Sequence, residues 1–329
     1  MENDMKTSKK EPCVLAMDLG GTLTKLGLVS KSGKILKSEI FRTGADGPYE
    51  AFVERVGKVL STWKQESGMT TRALGVGAPN ASHQSGCMET PPNFGWGDRI
   101  PLLESLKNIW DLPAFLTNDA NAAALGELHF GVARGMAHFV TLTLGTGLGS
   151  GIISHGRLLT GSHGMAGEIG HINVYPEGRQ CNCGLKGCLE TYASVTGIRR
   201  TVLELIAERG GGASVLSNYS YEALEGRLIS EAALEGDPVA REAFEFTGRI
   251  LGIKMADTAA HLDPEAFVIS GGLSKAGELL LEPVRQSMES RLFSAYRGKI
   301  KVLRSGFSSA EAVLGPAALA WNGLETSGN

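Results

Sequence analysis

Cys181, Cys183 and Cys188 fall in one short stretch, Cys181-Asn182-Cys183-Gly184-Leu185-Lys186-Gly187-Cys188-Leu189-Glu190, just downstream of Gly167-Glu168-Ile169-Gly170-His171. Three thiolates and one neutral imidazole make a closed tetrahedral donor set suited to Zn²⁺. No position is left for an activated water, so a metal here reads as structural. Gly184 and Gly187 let the backbone fold back so that the sulfurs converge. The other reading is that the cysteines pack as small apolar side chains, but glycine-rich, polar surroundings make a poor core. Glu168 and Glu190 flank the ligands, and a loop held rigid by metal would carry both into one pocket. Carboxylates hydrogen-bonding vicinal hydroxyls are how a polar site discriminates a polyol. If His171 gives one ring nitrogen to zinc, the other is fixed as an N–H donor for such a hydroxyl. Taken singly, each glutamate also reads as a solvated surface charge.

A second chemistry sits at glycines. Asp18 followed by Gly20-Gly21-Thr22 places a carboxylate at a strand end beside a turn whose N–H groups could face phosphate oxygens, with Thr22 and Lys25 adding a hydroxyl and a cation. Asp18 would hold Mg²⁺, through water. Alone, a Gly-Gly hairpin is usually just a turn. Gly145-Thr146-Gly147-Leu148-Gly149 repeats the device in the second half of the chain, and two such turns would grip a polyphosphate from both sides of a cleft. Gly271-Gly272, after the apolar Phe267-Val268-Ile269, would let a flat base lie against bare backbone. In Thr117-Asn118-Asp119-Ala120-Asn121 the plain reading is helix capping by Asn or Asp. At a boundary between lobes, Asp119 is equally a candidate general base for phosphoryl transfer, whose loose transition state needs no raised carboxyl pKa. None of Ser150, Ser270 or Ser274 lies in a nucleophile-elbow pattern.

The elements that must position these groups follow from periodicity and turn residues. Cys13 to Met17 and Leu26 to Val29 read as a hairpin around the first glycine turn, closed at Ser32-Gly33. A helix is expected from about Tyr49 to Gln65 and a strand from Ala73 to Gly77. The Gly/Pro/Asn-rich stretch Ala78 to Gly97 then follows, too long for an idle connection. A helix Leu102 to Leu112, a strand Ala114 to Thr117 and a helix Ala120 to His129 come next. Strands His138 to Leu144 and Gly151 to Ser154 flank the second turn. Helices are expected at about Val195 to Glu208, Tyr221 to Leu234, Pro238 to His261 and Glu278 to Phe293, with strands Ala266 to Ser270 and Lys299 to Arg304 and a last helix from about Ala310 to Asn322.

A chain of 329 residues, 42% apolar, exceeds what one core usually supports, so two lobes are expected. Near-balance of Lys+Arg 32 against Asp+Glu 35, net −3, gives no electrostatic footprint for nucleic acid or an acidic membrane surface. No apolar run reaches signal-peptide or bilayer-spanning length, which predicts a cytoplasmic protein. Reducing conditions there favour metal binding over disulfides for the cysteine cluster and leave Cys13 and Cys87 as packing residues.

Together these segments, from Asp18 to the final helix, resemble the ROK family, which groups repressors, open reading frames and sugar kinases. The resemblance implies an α/β chain with two actin-like (ribonuclease H-like) lobes and a ligand cleft between them. The smaller lobe would be 1–117 plus about 305–329. The larger, 118–304, would carry the zinc site and a homodimer interface. In the family pattern, Asp18 to Lys25 and Gly145 to Gly149, with Gly145, Thr146 and Gly147 as the contacts, look like phosphate motifs for ATP with Mg²⁺, and Gly271-Gly272 like the adenosine site. Asp119 matches the catalytic base, Asn118, Glu168, His171 and Glu190 match sugar contacts, and His171, Cys181, Cys183 and Cys188 match the structural zinc site. Gly77-Ala78-Pro79-Asn80 and Pro91-Pro92-Asn93-Phe94-Gly95-Trp96 look most like the bacterial branch that converts glucose to glucose 6-phosphate, with Asn80 and Asn93 as further sugar contacts. The expected activity is ATP-dependent phosphorylation of a hexose 6-hydroxyl. Other hexoses (N-acetylmannosamine, N-acetylglucosamine, fructose, allose) stay open, as does a non-catalytic sugar-responsive regulator. A repressor is disfavoured because only 17 residues precede Asp18, too few for a helix-turn-helix. The expected partners are a sugar and ATP, with neither nucleic acid nor membrane.

Overall fold

Residues 13 to 17, Cys-Val-Leu-Ala-Met, are apolar without alternation, and all five are buried, as a central strand covered on both faces requires. In the computed structural model, which describes residues 11–66, 70–92 and 94–327, they form the middle of β1 (Pro12–Leu19). β2 (Leu23–Ser30) returns antiparallel, with Asp18 opposite Lys25, and β3 (Ile35–Arg42) pairs antiparallel with β2. After α1 (Tyr49–Glu66) comes β4 (Thr70–Ala78), parallel to β1. A small antiparallel pair, β5 (Met88–Glu89) and β6 (Arg99–Ile100), interrupts the long Gly/Pro/Asn-rich stretch. α2 (Leu102–Ile109), β7 (Ala114–Asn118), parallel to β4, and α3 (Asp119–His129) follow. The sheet order is β3-β2-β1-β4-β7. Leu15, Met17, Leu28, Phe52, Leu60 and Leu74 belong to one core beside it, each worth ~1.5–3 kcal/mol when fully buried.

The second half repeats this topology. β8 (Phe139–Leu144) and β9 (Leu148–Ser154) form the hairpin, and β10 (Arg157–Leu158) extends it antiparallel. α4 (Val195–Arg209), α5 (Gly226–Leu234) and α6 (Pro238–Leu262) come before β11 (Ala266–Ser270), which lies parallel to β8. α7 (Glu278–Arg291) and β12 (Lys301–Arg304), parallel to β11, complete the order β10-β9-β8-β11-β12. The helix expected from Tyr221 begins only at Gly226, because Ser220 to Leu224 close as turns with Ala223 and Leu224 bonded back to the Ser220 carbonyl.

The last helix, α8 (Leu314–Ser327), starts four residues later than expected. Ser309–Val313 is a 3-10 turn, entered through a capping box in which Ser308 and Glu311 satisfy each other's backbone N–H. α8 packs against α3, β4, β1 and β7, so the chain forms two compact units, 1–130 with 308–329, and 131–307. The first division falls after α3, not at 117: α3 belongs with the first sheet because it covers β4 and β7 and contacts α8. Among the described residues no helix is long and apolar enough to cross a membrane.

Candidate active site

Gly20, Gly21 and Thr22 join β1 to β2, closed by the Gly20 N–H donating to the Leu23 carbonyl at 3.0 Å. Lys25 Nζ lies 2.7 Å from Asp18 Oδ2, and both side chains are largely buried, so the cation neutralises the carboxylate within the hairpin. Thr22 is exposed. A residue the sequence reading passed over shapes this turn: Thr43, buried just beyond β3, donates its hydroxyl to the Gly20 carbonyl at 2.6 Å and its N–H to the Thr22 carbonyl at 3.0 Å.

Asn118 ends β7 and caps α3. Its φ of −68° and ψ of 161° are extended, and its Oδ1 accepts from the Asn121 N–H at 2.7 Å. The capping reading of Asn118 is therefore what the geometry shows. Asp119, first residue of α3, is exposed and accepts from the Ala120 N–H at 2.9 Å. Asn80 takes a left-handed φ of 49° and donates its amide to the Thr90 carbonyl at 3.1 Å. Asn93 lies outside the described residues. Nearby Trp96 anchors the loop, its ring tilted against Phe52 on α1 with centroids 4.9 Å apart and its Nε1–H donated to the Gly47 carbonyl.

In the second unit, Gly145 to Gly147 connects β8 and β9, Leu148 and Gly149 already lying in β9, with the Gly145 N–H donating to the Gly147 carbonyl at 3.0 Å and the Gly145 carbonyl accepting from the Val195 N–H at the start of α4. Gly271 backs onto the same place: a Cβ there would stand 2.5 Å from the Leu144 carbonyl oxygen, so the second and third glycine sites are neighbours. Thr146, Gly271 and Gly272 are exposed. Glu190 closes the group from the other side. Its Oε2 lies 3.4 Å from the Leu148 N–H and would be 2.5 Å from a Cβ at Gly147.

The other Glu190 oxygen, Oε1, accepts from the Cys181 thiol at 2.9 Å, which leads directly to the metal cluster. The ligand atoms of His171, Cys181, Cys183 and Cys188 all lie within 4.8 Å of one another. Cys181 Sγ is 3.8 Å from His171 Nδ1, and Cys183 Sγ is 3.6 Å from Cys188 Sγ. Zn–S bonds of ~2.3 Å in a tetrahedron put ligand atoms ~3.8 Å apart, so this donor set fits a structural Zn²⁺. The loop reaches that shape because Gly187, at φ +74°, sits against the Tyr175 carbonyl where a side chain would collide. Burial, then the bond to Glu190, pushes the Cys181 thiol well up; burial, then Cys183, raises Cys188. Cys183 is held below the ordinary thiol value: burial works against it, and the Leu185 N–H and the neighbouring thiols outweigh burial. Glu168 is exposed as a residue, yet partial desolvation of its carboxyl raises its pKa, opposed by His171 and reinforced by Glu190.

Arg179, also missed by the sequence reading, ties this loop down. Its guanidinium donates to the carbonyls of Thr191 (2.7 Å) and Gly197 (3.1 Å), to Thr201 Oγ1 (2.9 Å) and to Glu204 Oε1 (2.9 Å), and lies 4.6 Å from the Tyr192 ring centroid. An arginine before a cysteine carries no pattern that announces this, because most of its partners are backbone and hydroxyl groups on α4 and beside Glu190.

Two α/β units with one repeated strand order and a glycine turn in each first hairpin define the two-domain actin-like ATPase fold. The chain belongs to the ROK family, whose profile matches residues 14–322. A glucokinase of Thermotoga maritima is 35% identical over 93% of this chain and 96% of its own length. The structure of a ROK family glucokinase from Streptomyces griseus in complex with glucose and AMPPNP matches with a TM-score of 0.81 at 35% identity, covering 94% of this chain and 99% of that one. A xylose repressor of Caldicellulosiruptor bescii is 28% identical over 96% of this chain and 79% of its own length.

Proposed function

We propose that this chain is an ATP-dependent hexose kinase that converts glucose to glucose 6-phosphate in the cytoplasm, working as a homodimer through 131–307. The observation that carries the reading is similarity over nearly the whole chain to glucokinases, combined with an exposed Asp119 at the start of α3 and a glycine turn in each unit. Asp119 accepts the 6-hydroxyl proton late, as O6 bonds to the γ-phosphorus and the bond to the ADP oxygen breaks; a loose transition state asks no more of the base. Gly20, Gly21, Thr22, Lys25, Gly145, Thr146 and Gly147 contact the phosphates, and Gly271 and Gly272 the adenosine. Asn80, Asn93, Asn118, Glu168, His171 and Glu190 hold the sugar hydroxyls. Asp18, already paired with Lys25, would hold hydrated Mg²⁺, which when bound neutralises phosphate charge. Zinc on His171, Cys181, Cys183 and Cys188 supplies rigidity and no chemistry. With His171 Nδ1 facing the sulfurs, Nε2 is the nitrogen left to meet a hydroxyl.

The deciding experiment is ATP consumption with glucose present and absent, followed by kcat/KM for glucose, N-acetylglucosamine, N-acetylmannosamine and fructose. Glucose-dependent turnover with glucose preferred supports the proposal. The similarity to a xylose repressor favours a second reading, a sugar-responsive regulator, which predicts sugar binding with no ATP consumption.

A further inference from the structure

We infer that Thr43 is a positioning residue for the nucleotide phosphates, acting through the first glycine turn; the inference rests on the kinase reading above. Thr43 is 1% exposed and touches the turn at two points on either side of Gly21. Its hydroxyl donates to the Gly20 carbonyl at 2.6 Å, and its N–H donates to the Thr22 carbonyl at 3.0 Å. The hydroxyl has one proton, and that proton is committed to Gly20. The 2.9 Å contact between Thr24 Oγ1 and Thr43 Oγ1 therefore runs with the buried Thr24 as donor. A relay results, Thr24 to Thr43 to the Gly20 carbonyl.

The consequence lies in the peptide plane. A two-residue hairpin turn would normally return the Gly20 carbonyl to the Leu23 N–H, whereas here Gly20 keeps its donor bond to Leu23 and spends its carbonyl on Thr43. Because the peptide group is planar and trans, the Gly20 carbonyl pointing inward at a buried hydroxyl turns the Gly21 N–H outward. Gly21 is half-buried and Thr22 exposed, so the outward side is the one an anion can reach. Without the hydroxyl, the 20–21 peptide is free to flip its carbonyl toward that anion, replacing a donor by a repelling oxygen. Thr43 thereby fixes the sign of the dipole that phosphate meets, without touching the phosphate itself.

The test uses the full chain with Thr43→Val, Thr43→Ala and Thr43→Ser. Val and Ala, which lack the donor, should raise KM for ATP and weaken calorimetric binding of a non-hydrolysable ATP analogue by roughly five- to twenty-fold, with glucose KM unchanged; Ser should restore both. Should Val fail to fold, Ala gives the same reading. Nucleotide affinity within about two-fold of the unmodified chain in the Val or Ala variant, or an equal rise in glucose KM, overturns the inference. Absence of glucose-dependent ATP consumption in the unmodified chain sinks the kinase reading alone. The calorimetric series then still decides on Thr43, and an unmodified chain that binds no nucleotide overturns both.

Discussion

The two glycine turns answer one structural problem in different ways. Each joins the strands of the first hairpin in its sheet, each keeps its first glycine N–H bonded within the turn, and each has that glycine's carbonyl held from outside. In the first turn the holder is a side chain, the Thr43 hydroxyl; in the second it is the backbone N–H of Val195. The second turn also shares a residue with the metal loop: in the thiol form of Cys181, Glu190 accepts from it through one oxygen and sits by Leu148 and Gly147 through the other, while a zinc-bound thiolate has no proton to give and the tie then runs through the chain, Glu190 lying two residues after Cys188. The first turn shares none of its contacts with the metal cluster, whereas the second meets it through Glu190. Unit by unit, 1–130 with 308–329 carries the proposed base, and 131–307 carries the proposed sugar-binding carboxylates Glu168 and Glu190 beside the cluster that fits zinc.

The sharpest break in that comparison is Asp119→Asn. If the first unit holds the base, kcat should fall about 10²- to 10⁴-fold while glucose affinity, read by calorimetry, changes only modestly. Turnover near that of the unmodified chain would end the assignment. Metal loss comes next. Cys188→Ser, or a chelator, should weaken glucose binding about ten- to a hundred-fold and nucleotide binding less, with zinc content followed by mass spectrometry. Equal loss of both would mean that the metal only holds the fold together. Acidification should release zinc, because thiolates must then compete with protons. Cys181 and Cys188, whose thiols are pushed up before any metal arrives, give up their protons least readily.

These expectations rest unevenly on what could be read from residue types. The metal set was legible because cysteine spacing and glycine content report ligand convergence directly, and β11 because Ala266-Phe267-Val268-Ile269 is one unbroken apolar run in a strand paired on both sides. β3 was not: Ile35 to Arg42 lies at the sheet edge with no residue fully buried, so neither strict alternation nor an apolar run marks it. Asn118 read as cap and as ligand at once, since one amide can serve as either, and the chain alone does not say where its oxygen points. Thr43 and Arg179 were invisible for a shared reason. Most of their partners are backbone carbonyls or hydroxyls, some far along the chain, and neither spacing nor composition encodes such contacts.

The smallest effect separates recognition from mere stability in the second unit. Asp237 caps α6, its Oδ1 accepting from the Val239 and Ala240 N–H groups and its Oδ2 from Ser214 Oγ and the Val215 N–H, all between 2.8 and 3.0 Å. Burial pushes its pKa up, but those donors outweigh burial and hold it below the ordinary carboxylate value. Asp237→Asn must turn an NH₂ toward one of the two donor pairs, so it should cost about 2 kcal/mol at neutral pH, read by urea unfolding. A depressed folded pKa stabilises above the unfolded value of ~3.9 and loses that stabilisation as pH falls through the folded one. The gap between variant and unmodified chain should therefore narrow below about pH 4. Glucose and nucleotide affinities should both stay near normal in the folded variant, because Asp237 touches neither glycine turn nor metal ligand. If instead this variant lowers the two affinities in the ratio that zinc removal does, the metal effect reduces to destabilisation of 131–307, and Glu190 no longer distinguishes the second turn from the first.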